Sequence, residues 1–145
     1  MPSLAETIAD PERRKRVIED SVGMIEAEVA DKSGLTGVAV KTAFATVKKL
    51  RPGFVHVALH HLLDEFAAQV DPYWAECREK GVHPRKFFVE RGNAVANSLL
   101  KITDSRSKGA SGPARKAYDT LRPRAVDHVI SAMPRLGDLI HKHCS

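Results

Sequence analysis

Apolar side chains recur along this chain at intervals of three and four residues between proline and glycine punctuation, and no stretch alternates every second residue for long enough to build a sheet. The spacing predicts helices throughout. Ser3 followed by Glu6 has the form of a capping box opening a short helix, and Asp10-Pro11 places an N-cap before a proline in the first turn. A long helix is expected from Pro11 to Asp31, with Val17, Ile18, Val22, Ile25 and Val29 on its inner face and Met24 at the edge. The Lys32 to Gly37 stretch reads as a turn, with Thr36 capping a second helix to about Leu50 whose inner face carries Val40, Ala43, Phe44 and Val47. Pro52-Gly53 separates it from a third, Phe54 to about Val70, with Val55, Leu59, Leu62, Phe66 and Val70 inward.

Further along, Asp71-Pro72 repeats the cap-and-proline start and predicts a separate short helix ending near Gly81. Another is expected from Pro84, directing Phe88, Val95, Leu99 and Ile102 inward. Residues 104–113 are rich in Ser, Gly and Lys and lack periodicity, which predicts a flexible loop. A helix over Ala114 to Leu121 follows, and Pro123 restarts one with Ala125, Val126, Val129, Ile130 and Met133 inward. Pro134 is expected to kink or end it, leaving a terminal piece from Arg135 that frays towards Ser145. The fold class is therefore all-α: one domain over residues 1–145, with six or seven helices around a single core in an orthogonal or bundle-like packing.

The run Lys32-Ser33-Gly34-Leu35-Thr36-Gly37, followed by Val40-Lys41, Val47-Lys48-Lys49 and Pro52-Gly53, resembles a bacterial family of small helical proteins classed as a domain of unknown function. Pro72-Tyr73-Trp74 and Pro134-Arg135-Leu136-Gly137 are similar to later parts of that family. The resemblance implies a helical fold over most of the chain and assigns no activity, cofactor or site residue.

Composition changes the picture in two places. Hydrophobic residues at 43% and charged residues at 28% suit a globular domain, and no run reaches the roughly 20 apolar residues of a membrane span. The first residues run into Arg13-Arg14-Lys15-Arg16 without an apolar segment of the secretory type, so a cytoplasmic protein is expected. Cys77 and Cys144 have no paired-ligand spacing and read as free thiols. The net charge of +5 lies entirely in residues 101–145, where nine Lys and Arg face four Asp and Glu.

Motifs for catalysis are missing: there is no HExxH, no GxSxG and no phosphate-cradling glycine loop, and no catalytic residue, metal site or cofactor is predicted. His56 and His60 stand one turn apart with Asp64 a turn later, but without a third ligand the plain expectation is a His60–Asp64 hydrogen bond at the edge of the core. His141, His143 and Cys144 read as a solvated tail, and Ser33 to Gly37 as a tight corner rather than an anion site. Glu28 and Arg91 interrupt apolar faces. They are expected to form a structural ion pair with each other, or else Glu28 takes Lys32 one turn on and Arg91 snorkels outward.

A basic segment remains: Lys101, Arg106, Lys108, Arg115, Lys116, Arg122 and Arg124, with Asp104 and Asp119 as the only acids, is the candidate polyanion-binding surface. The functional expectation is a non-enzymatic binding or protein-interaction module, partnered by another protein or a second copy of itself and not by a membrane. Two alternatives stand beside it: weak binding of nucleic acid or another polyanion through residues 101–124, and carriage of an apolar small ligand between helices, which requires a dry pocket of a few hundred Å³.

Overall fold

The computed structural model describes residues 1–145, and every regular element in it is helical. In chain order these are α1 (Leu4–Ala9), α2 (Pro11–Asp31), α3 (Gly34–Leu50), α4 (Phe54–Lys80), α5 (Pro84–Glu90), α6 (Gly92–Ser107), α7 (Gly112–Leu121), α8 (Ala125–Ser131) and α9 (Met133–Cys144), with a 3-10 turn at Arg122–Arg124 before α8. That is more than the six or seven expected; the helix expected from Pro84 is divided at Arg91 into α5 and α6, and the break expected at Pro134 falls at Ala132. None is long and apolar enough to cross a membrane.

The first two starts follow the local chemistry read from the sequence. Ser3 Oγ accepts from the Glu6 N–H while Glu6 Oε1 accepts from the Ser3 N–H, and Asp10 Oδ2 accepts from the Arg13 N–H. At α3 the cap is Ser33 rather than Thr36, since Gly34 at φ +72° already turns the chain into the helix.

The expected break at Asp71-Pro72 does not occur, and α4 runs on for 27 residues. Asp71 instead serves a different helix. Its two carboxylate oxygens accept the N–H groups of Leu4 and Ala5 at 2.6 and 3.1 Å, completing the N-terminus of α1 from a neighbouring helix. Trp74 Nε1 donates to the Pro2 carbonyl at 2.9 Å and Arg78 to that of Met1 at 2.6 Å, so α1 is stitched along α4.

The predicted loop over residues 104–113 is also shorter, because α6 extends to Ser107 and α7 begins at Gly112. Asp104 organises this corner by accepting from Tyr118 Oη and from Nε and Nη2 of Arg122, while Arg115 donates to the Ser107 carbonyl at 2.8 Å. The end of the chain is likewise built in. His143 and Cys144 on α9 are buried, the His143 ring bonding Asp20 Oδ2 at 2.7 Å and Cys144 Sγ lying 3.3 Å from Thr7 Oγ1.

Buried apolar side chains form two clusters rather than the single expected core. One gathers Val70, Trp74, Cys77, Phe87, Phe88, Val95, Met133, Ile140 and Cys144; the other gathers Ile8, Val17, Ile18, Leu59, Leu63 and Ala67. The closest helix pair, α5 against α9, supports the first cluster, and Gly137 permits it: a Cβ there would meet the Arg85 and Pro84 backbone at 2.5–2.7 Å.

Candidate functional site

Between the two clusters lies a partly open hollow. A cavity of about 380 Å³ runs among α1, α2, α4, α6, α8 and α9, with Val40 contributed by α3, and 21 of its 28 wall residues are hydrophobic. Residues from both clusters face it, including Leu59 and Leu63 from one and Met133 and Ile140 from the other. The hollow explains why Leu99, Val129, Leu136 and Leu139, all apolar and all directed inward, are only half-buried. A wider depression at the start of α5, lined by His83, Arg85, Lys86, Val89 and Glu90, consists of exposed side chains and encloses nothing comparable.

Apart from the buried Ser21 of α2, polar groups on the cavity wall fall into two sets. Thr7, Thr103 and His143 have hydrogen-bond partners within the protein. At the end formed by α2 and α8, Glu28 is buried and accepts from Lys32 Nζ at 3.3 Å, Ser131 Oγ at 3.3 Å and Arg135 Nη1 at 2.5 Å, and Arg135 also reaches Asp31 at 2.5 Å. Beside this network His128 also lines the cavity, and its Nε2 is buried without a partner. Burial, followed by the positive charge of Lys32, holds the His128 imidazole below its ordinary pKa, which favours the neutral ring.

Glu28 and Arg91 do not pair with each other, which corrects the first of the two sequence expectations. α2 packs against α9, which presents Arg135, whereas Arg91 sits at the α5–α6 junction, bonds Glu76 at 2.7 Å and covers the Tyr73 and Phe87 rings. The second expectation fits the contacts, with Glu28 taking Lys32 one turn on. His60 does not bond Asp64, because Arg14 takes both the Asp64 carboxylate at 2.9 Å and the His60 carbonyl at 2.8 Å. No group of three His, Cys, Asp or Glu side chains comes together as a metal site would need.

Within the basic segment, three of the seven cations have carboxylate partners inside the protein: Arg106 with Glu65, Arg115 with Asp119 and Arg122 with Asp104. Lys101, Lys108, Lys116 and Arg124 are exposed and have no such partner. Sequence reasoning passed over His128 as a candidate ligand contact. Its signal was the register: Ala125, His128, Val129 and Ala132 have i, i+3, i+4, i+7 spacing, so one imidazole shares a face with three apolar side chains.

No curated protein and no solved structure matches this chain. A family model does match, over residues 4–144, which takes in α1 through α9 and every wall of the cavity, and the chain belongs to that family, the Family of unknown function (DUF6918).

Proposed function

We propose that the protein binds an apolar small molecule between its helices, as a carrier or sensor rather than as an enzyme. The observation that supports this reading is the cavity itself. Its volume of about 380 Å³ falls in the roughly 300–1,000 Å³ range of small-molecule sites, and its walls combine many apolar side chains with a few polar groups at one end. A molecule that fills it regains contacts that no side chain of this sequence supplies.

The test uses a neutral fluorescent probe, N-phenyl-1-naphthylamine, with native mass spectrometry of the purified protein alongside. Saturable binding that is abolished by Ala132→Leu together with Val129→Phe, both of which add side-chain volume inside the cavity, is the expected result. Equal probe binding by the filled variant and the parent protein would place the dye elsewhere and reject the reading.

A further inference from the structure

The hydrogen-bonding capacity left over at the α2–α8 end of the cavity specifies more than an apolar occupant. Glu28 is satisfied by three donors, and its charge and that of Asp31 are matched by Lys32 and Arg135. Lys32 has three N–H donors, spends one on Glu28, and has a side chain only 12% exposed. The buried Nε2 of His128 has no partner at all. The unspent groups are thus an ammonium, which can only donate, and an imidazole, which donates from both nitrogens once protonated.

We propose that the cavity takes a medium-chain aliphatic carboxylate, its chain among the apolar walls and its carboxylate held by Lys32 Nζ and His128 Nε2. This rests on the apolar-cavity reading above and adds the chemistry of the head. A carboxylate offers two acceptor oxygens and no donor, the complement of what Lys32 and His128 leave free. An alcohol head offers one oxygen and leaves part of the set unmet. Size agrees: at the roughly 30 Å³ of a water-sized group, the cavity of about 380 Å³ has room for about a dozen non-hydrogen atoms, the number in decanoate.

Charge balance adds a proton. The charged groups acting on His128 are Lys32 and Glu28 from α2, Asp127 on its own helix and Arg124 just before it, while α6 brings only Leu99, Leu100 and Thr103 to the wall and α9 brings Arg135, already committed to Glu28 and Asp31. Existing charges at this end are paired, so an incoming carboxylate needs a new positive charge. Protonation of His128 from solvent supplies it, giving an imidazolium–carboxylate pair in place of a neutral ring facing Lys32 alone. Binding then takes up one proton wherever the free ring is neutral and the bound ring is charged.

Calorimetric titration with decanoate and with 1-decanol, on the parent protein and His128→Leu, tests this. Replacing a buried, unpartnered ring nitrogen by carbon removes an unmet polar group, so the variant is expected to fold, and decanol binding confirms it in the same experiment. The expected result is decanoate bound roughly tenfold more tightly than decanol at about pH 6.5, weakening by up to tenfold per unit as pH rises towards about 8, with decanol unaffected. In His128→Leu both the preference and the pH dependence should disappear while decanol binding persists. Equal binding of the two probes, or a decanoate preference untouched by His128→Leu, overturns the carboxylate proposal and leaves the apolar cavity standing. Failure of decanoate, decanol and the neutral dye alike overturns both.

Discussion

Glu28 keeps a charge on the inner arc of α2 because three donors, Lys32 just past the end of α2, Ser131 of α8 and Arg135 of α9, meet it. Its sequence neighbours announced Lys32, one turn away, but nothing in the chain's pattern named Arg135, 107 positions on. Removing one partner of a buried pair leaves the others uncompensated, so Glu28→Gln should cost about 3 kcal/mol, a drop of roughly 6–12 °C in Tm. Arg91→Met, which breaks a half-exposed pair with Glu76, should cost about 1 kcal/mol or less. In melts of double variants, Glu28→Gln with Arg91→Met should be additive and Glu28→Gln with Arg135→Met less than additive; coupling in the first would mean that the two sites communicate. Asp20 gives a pH prediction of the same kind. Hydrogen bonds from Lys142 first and His143 second hold its carboxyl below the usual value. A carboxylate depressed in the folded state stabilises above its unfolded pKa, near 3.9, and loses that contribution as pH falls through the folded value. Asp20→Asn should therefore lower Tm at neutral pH and flatten the decline below about pH 4, which acid melts of the two proteins will measure.

At the scale of helices, starts were legible and continuations were not. Capping boxes act within four residues, so Ser3–Glu6 and Asp10–Arg13 could be read directly. Asp71-Pro72 has the same local form, yet the helix passes through it because the carboxylate is drawn to the Leu4 and Ala5 N–H groups, 67 and 66 residues away. Asp71→Ala should detach the first turn of α1, costing about 1–2 kcal/mol and raising hydrogen exchange at Leu4 and Ala5 while the α4 amides stay protected. If exchange rises first within α4, Asp71 serves its own helix instead. The last helix was misread for a related reason: residues 141–145 look polar, but His143 is met by Asp20 and Cys144 by Thr7, partners that only the packing of α9 reveals. Gly137 is the residue that lets α9 approach. With Arg85 and Pro84 backbone atoms 2.5–2.7 Å from where its Cβ would stand, Gly137→Ala must part α5 from α9 and should cost on the order of 1–3 kcal/mol in a denaturant melt.

For the whole molecule, the sequence shows which face of each helix turns inward but not whether the inward faces meet. Leu99, Val129, Leu136 and Leu139 were fit to fill a core, and the cavity exists because the helices that carry them stand apart. Volume is a sum over six helices, and no periodicity within one of them encodes it. A void of this size makes the folded protein sensitive to pressure, since unfolding eliminates internal empty space and its volume change scales with that space. The ligand-free protein should accordingly show a volume change of unfolding near the large end of the usual range, about −100 mL/mol, in high-pressure fluorescence of Trp74, which lies buried against α1. Ala132→Leu with Val129→Phe should reduce that magnitude, and saturating decanoate should reduce it in the parent protein by a comparable amount, because side chain and ligand occupy the same space. A pressure midpoint that moves with neither would mean that water already fills the cavity at native density, and that a ligand entering it gains only what exchanging for that water provides.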